Sequence, residues 1–126
     1  MIYGCKQSKL TGTENVYTKK LKVPEEYRFI LPEVINQGSK PICTVCAVSA
    51  FLNWNINLKD GQSNRDNKID LLKLFKEANG KDNGAYLKEV LEVLKTKKDI
   101  NKYALIKDID TLKTAIIANG PCVGGL

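Results

Sequence analysis

From Val45 to Leu52 the chain is apolar except for Ser49, within a segment that runs on to Trp54 and Leu58. A helix apolar nearly all round is normally buried inside a domain, so the pattern predicts a central buried helix over Cys43–Leu58. Downstream the spacing turns amphipathic. Ile69, Leu71, Leu72, Leu74 and Phe75, with Lys73 and Glu77 as polar positions, predict a second helix over Ile69–Ala78. Leu87, Val90, Leu91 and Leu94 form one stripe, and Lys88, Glu89, Glu92 and Lys95 the opposite face, of a third helix over Tyr86–Lys97. Tyr103–Ile106 reads as a short strand. Asp108–Ala118 reads as a fourth helix, capped by Asp108 or Asp110 and ended by Asn119-Gly120-Pro121; Cys122–Leu126 then starts another strand.

Between these elements lie polar connections. Lys59–Lys68 holds Asp60-Gly61, Asn64 and Asp66-Asn67, residues suited to turns and caps. Asn79–Gly84 is a second loop, in which Gly80 is the expected C′ glycine. Residues 1–22 are polar and read as an extended arm. The resulting division is an arm at 1–22, a helical lobe at 23–107, and a helix and strand at 108–126.

The segment with candidate chemistry is Asn36-Gln37-Gly38-Ser39-Lys40-Pro41-Ile42-Cys43, a polar loop running straight into the buried helix. A helix N-terminus collects backbone N–H groups and the positive end of the helix dipole, which favour a thiolate over a thiol. Cys43 therefore stands where a reactive cysteine would be placed.

Gln37, Gly38 and Cys43, with Gln six positions before Cys and an Ala/Ser-containing helix after it, resemble the active-site segment of the papain-like cysteine peptidases. Lys40-Pro41-Ile42 before Cys43 and Thr44 after it bring the pattern closer to the bacterial and phage-type members than to the plant and lysosomal ones. The resemblance implies an α+β fold with a papain-like helical lobe and the first strands of an incomplete β lobe. It implies that Cys43 is the nucleophile and Gln37 a side-chain donor to the oxyanion. Asn83-Gly84-Ala85-Tyr86 is similar to the family's Gly-rich substrate loop, which implies a substrate-binding role for Gly84, Ala85 and Tyr86. A peptide or protein would be the substrate, with no cofactor and no metal. A helix-to-helix connection is the plain alternative for that loop.

Composition then removes part of the machinery. There is no histidine in the sequence. The family's base His and its orienting Asn lie about 130–150 residues beyond the nucleophile, and this chain ends at Leu126. Amide hydrolysis needs a proton delivered to the leaving amine, so the expectation is the nucleophile-bearing portion of a peptidase. A second chain or a further C-terminal segment would carry His and Asn and cover the β lobe. The alternative is a catalytically inactive, peptidase-derived structural or interaction module, for example in a virion or larger assembly. A weaker alternative takes Cys43-Thr44-Val45-Cys46 as a thiol redox site, without the βαβ pattern that such a motif wants.

The remaining composition is bland. Hydrophobic residues make up 43% and charged residues 27% of 126 residues, as in an ordinary globular domain. No apolar run approaches the roughly 20 residues of a membrane span. The start, Met1-Ile2-Tyr3-Gly4-Cys5-Lys6-Gln7, lacks a signal-peptide layout, so the expected location is the cytoplasm or an assembly within it, with reduced thiols. The net charge of +6 is spread along the chain and predicts a solvated face, not a nucleic-acid surface.

Overall fold

The computed structural model describes residues 5, 6, 8, 10–59 and 67–124, with the backbone alone for 5 and 6. Its elements are β1 (Cys5–Lys6), α1 (Cys43–Lys59), α2 (Leu71–Glu77), β2 (Ala85–Tyr86), α3 (Leu87–Thr96) and α4 (Ile109–Asn119). The fold is mixed and helix-rich. Among the described residues no helix is long and apolar enough to cross a membrane.

The chain divides into two units, each described by itself. The first comprises Ile30–Asn101 with the described residues of Met1–Ser8 and Val123–Leu126; the second comprises Lys9–Phe29 and Lys102–Cys122.

In the first unit α1 is the central element, as its composition requires. Val45, Val48 and Leu52 are buried on it, together with the polar Thr44, Ser49, Asn53 and Asn57. Leu74 and Ala78 from the α2 region, Ala85 from β2, and Val90 and Leu94 from α3 complete the core. Leu87 and Leu91 pack against it half-buried, so the third helix's stripe falls where its spacing places it.

The helix ends follow from local chemistry. Asp70 accepts a bond from Lys73 N at 3.1 Å and caps α2. Asn67 holds Ile69 outside that helix, accepting from Ile69 N at 3.1 Å and donating to Ile69 O at 3.3 Å. Hence α2 begins two residues later than Ile69. At its other end, Gly80 N reaches Phe75 O at 2.9 Å and Asn79 N reaches Lys76 O at 3.1 Å, the paired bonds of a Schellman stop. The left-handed residue is Asn79, at φ 57°. Gly80 is therefore one position beyond the C′ site expected for it. Its lack of a side chain serves another end: a Cβ there would collide with the Phe75 ring. Helix α3 stops in the same way, with Lys98 at φ 64°, Asp99 N on Leu94 O and Lys98 N on Lys95 O. Lys97 pairs with Glu77 Oε2 at 2.7 Å, linking the ends of α3 and α2.

Asn53, buried on α1, donates to Asn67 Oδ1 at 2.7 Å and accepts from Lys68 N at 2.9 Å. Both halves of its carboxamide are thus committed to the chain's return before α2. Residues 60–66 of the expected connecting loop lie outside the described residues.

In the second unit Asp108, not Asp110, caps α4. It accepts from Thr111 N and from Thr111 Oγ1, both at 3.0 Å, and Gly120 ends the helix at φ 99°. The expected strand Tyr103–Ile106 reduces to one parallel bridge, Leu105 with Val16. Tyr17 N donates to Leu105 O at 2.9 Å and Leu105 N to Asn15 O at 2.7 Å. The arm thus has a pairing partner at that point. No strand forms over 122–124, a departure from the expected second strand; Gly125 and Leu126 lie outside the described residues. Pro121 removes one backbone donor just ahead of it. Among the described residues, then, the strands expected to open a β lobe are absent as strands.

Candidate active site

The loop before Cys43 is ordered by short-range bonds that its own residues supply. Asn36 Oδ1 accepts from Gly38 N at 2.8 Å, an Asx turn. Gly38 sits at φ 62°, a left-handed position that glycine takes without steric cost. Lys40 N then reaches Gln37 O at 3.3 Å, and Ile42 N reaches Lys40 O at 2.9 Å. Three consecutive reversals deliver the chain to Ile42, whose carbonyl accepts the first helical bond, from Cys46 N at 3.0 Å. Cys43 is accordingly the first residue of α1.

Gln37 is half-buried, and its Nε2 donates to Lys40 O at 2.8 Å. A carboxamide nitrogen carries two hydrogens, so this bond fixes the amide while leaving a donor for a second acceptor. Cys43 is half-buried and present as a thiol. No acidic side chain lies in the first turn of α1, so none opposes negative charge at that helix end. Cys46 is buried, one turn further on. Burial, and secondarily the neighbouring Cys43, push its thiol above the ordinary cysteine range. Cys122 is exposed, in the second unit.

The structure brings the second group of expected residues to the same helix end. Thr44 Oγ1 donates to Ala85 O at 3.1 Å, and this bond is buried. Gly84 is buried at φ 107°, Ala85 is buried and Tyr86 is exposed. The backbone of Ala85 and Tyr86 is engaged on one side by β1, in parallel register Cys5 to Ala85 and Lys6 to Tyr86. Ser8 Oγ accepts from Lys88 N at 3.2 Å and serves the start of α3, where Tyr86 supplies no side-chain cap. The plain helix-to-helix connection was the alternative for this loop; it contains in addition a two-residue strand and the Lys81–Gly84 bridge.

Thr44 is the residue whose part the sequence did not reveal. A threonine next to a helix-start cysteine gives no local sign of a bond forty-one residues away. Lys40 acts through its carbonyl, which any residue type supplies. Among the described residues no cluster of His, Cys, Asp or Glu could hold a metal ion. No family model, curated protein or solved structure matches the chain.

Proposed function

We propose that this chain is the nucleophile-bearing portion of a papain-like cysteine peptidase. The observation that carries the reading is Cys43 as first residue of the buried helix α1, delivered there by a turn that also fixes the Gln37 amide at 2.8 Å on Lys40 O. In this reading the Cys43 thiolate attacks a peptide carbonyl. Gln37 Nε2–H and the Cys43 backbone N–H receive the oxyanion, a contribution worth about 10²–10³ in rate per donor. Gly84, Ala85 and Tyr86 line the substrate's path, held to the nucleophile's helix through Thr44. The base and the proton for the leaving amine come from another polypeptide or segment, because the sequence holds no histidine. Ile30, Leu31 and Val34, exposed by 58%, 52% and 90%, give such a partner apolar surface to cover. A papain-like arrangement of lobes belongs to the same proposal, as does a cytoplasmic or assembly-bound location.

The second reading is a pseudoenzyme used for binding. It is favoured by the missing histidine and by β1 already occupying the Ala85–Tyr86 backbone. A peptidyl epoxide that alkylates papain-like thiolates separates the two. Modification confined to Cys43, sparing the more exposed Cys122, is the expected result. Equal labelling of Cys122, or none of Cys43, would sink the peptidase reading and leave the binding module.

A further inference from the structure

We propose that Cys43 and Cys46 form a reversible disulfide in response to a hydroperoxide, so that Cys46 acts as a built-in resolving thiol that switches the candidate nucleophile off and protects it. The proposal rests on the peptidase reading for its consequence, and on the geometry of α1 for its chemistry.

Both cysteines are thiols on one helix, three residues apart. Side chains three apart share a helix face, with Cβ atoms about 5–6 Å from each other. A disulfide needs Cβ atoms about 3.5–4.5 Å apart. The approach of roughly 1–2 Å that these two ranges imply falls on Cys43, the first helical residue, where the ladder is least constrained. Cys46 is buried against the core, so outside oxidants meet half-buried Cys43 first. Its raised thiol range keeps little thiolate on Cys46, which further separates the two roles.

The chemistry closes on itself. The Cys43 thiolate attacks one oxygen of hydrogen peroxide, the O–O bond breaks, and the departing hydroxide takes a proton to become water; an organic hydroperoxide would release an alcohol at this step instead. Cys43 is then a sulfenic acid. The Cys46 sulfur attacks the Cys43 sulfur, the S–O bond breaks, and a second water leaves with the thiol proton. Two thiols and one peroxide thus give one disulfide and two waters, and an external dithiol reverses the change. Without Cys46 the sulfenic acid would go on to sulfinic and sulfonic acids, which dithiols do not reduce.

The test uses hydrogen peroxide on the whole chain, followed by trypsin and mass measurement. The fragment Phe29–Lys59 contains Cys43 and Cys46 and no other cysteine. It is expected two hydrogens lighter after peroxide and restored by dithiothreitol. Peptidyl-epoxide labelling of Cys43 should vanish and return in parallel. In Cys46→Ala the labelling should vanish and not return, with oxygen added at Cys43. A wild-type fragment that gains oxygen atoms without losing two hydrogens would overturn the proposal whether or not the variant folds. A disulfide that forms in a protein the epoxide never labels would uphold the switch chemistry and sink only the peptidase reading.

Discussion

The Thr44 hydroxyl donates to the Ala85 carbonyl across 3.1 Å of buried space. This single bond ties the residue after the candidate nucleophile to the loop that would hold its substrate. Replacing Thr44 by Val keeps the shape and leaves the carbonyl short of that donor, which costs about 1–3 kcal/mol. Urea denaturation should show that loss, and epoxide labelling of Cys43 should slow. Thr44→Ser, which keeps the donor, should recover the labelling rate; failure to recover it would reduce the bond to packing.

Ser49 is fully buried on α1, and among the described residues its Oγ has no hydrogen-bond partner. An unsatisfied buried hydroxyl costs about 1–3 kcal/mol, and alanine is the better helix former. Ser49→Ala is therefore expected to raise the denaturation midpoint in urea with an unchanged slope. A lower midpoint would mean that the hydroxyl is satisfied in solution by bound water.

Lys98 ends α3 in the left-handed region, which L-residues other than asparagine and aspartate resist. Lys98→Gly should stabilise by about 0.5–1 kcal/mol after the greater freedom of glycine in the unfolded chain is set against it. The same change at Asn79 should yield less, because asparagine already tolerates that conformation. Comparing the two Tm shifts checks the order.

Gly80→Ala makes the opposite prediction. The new methyl must displace the Phe75 ring, and overpacking of that kind costs about 1–3 kcal/mol. A neutral result would show that the half-buried ring can swing aside.

Asp108 caps α4, and its carboxyl lies below the ordinary range, first through the Thr111 backbone N–H and then, against an opposing desolvation, the Thr111 hydroxyl and Lys20. A carboxyl with a lowered folded-state pKa contributes stability in full above its unfolded value of about 3.9, and the contribution fades as pH falls through the folded value. The stability difference between wild type and Asp108→Ala should thus be constant near neutrality and shrink in acid. A difference that grows in acid would reverse the assignment.

The central helix was readable because eight nearly uninterrupted apolar positions leave no wet face, and its start at Cys43 follows from Pro41 and the polar turn. The third helix was readable from its stripe. Asp108 and Asp110 were equivalent as letters; only the Thr111 bonds decide between them. The sequence places the stop of α2 one residue late because Asn79 and Gly80 both suit a left-handed position, and the Phe75 ring that claims Gly80 is a tertiary fact. Pairing of Cys5–Lys6 with Ala85–Tyr86 had no signal, since two-residue strands carry no period. Gln37 and Cys43 were legible as a spaced pair. The bond that fixes Gln37 ends on a backbone carbonyl, which no sequence pattern encodes.

Asn53 has a consequence of another kind. By holding Asn67 Oδ1 and Lys68 N with the two halves of one buried carboxamide, it makes the entry to α2 depend on a side chain of α1, so a change that shifts α1 is carried to the start of α2 as well.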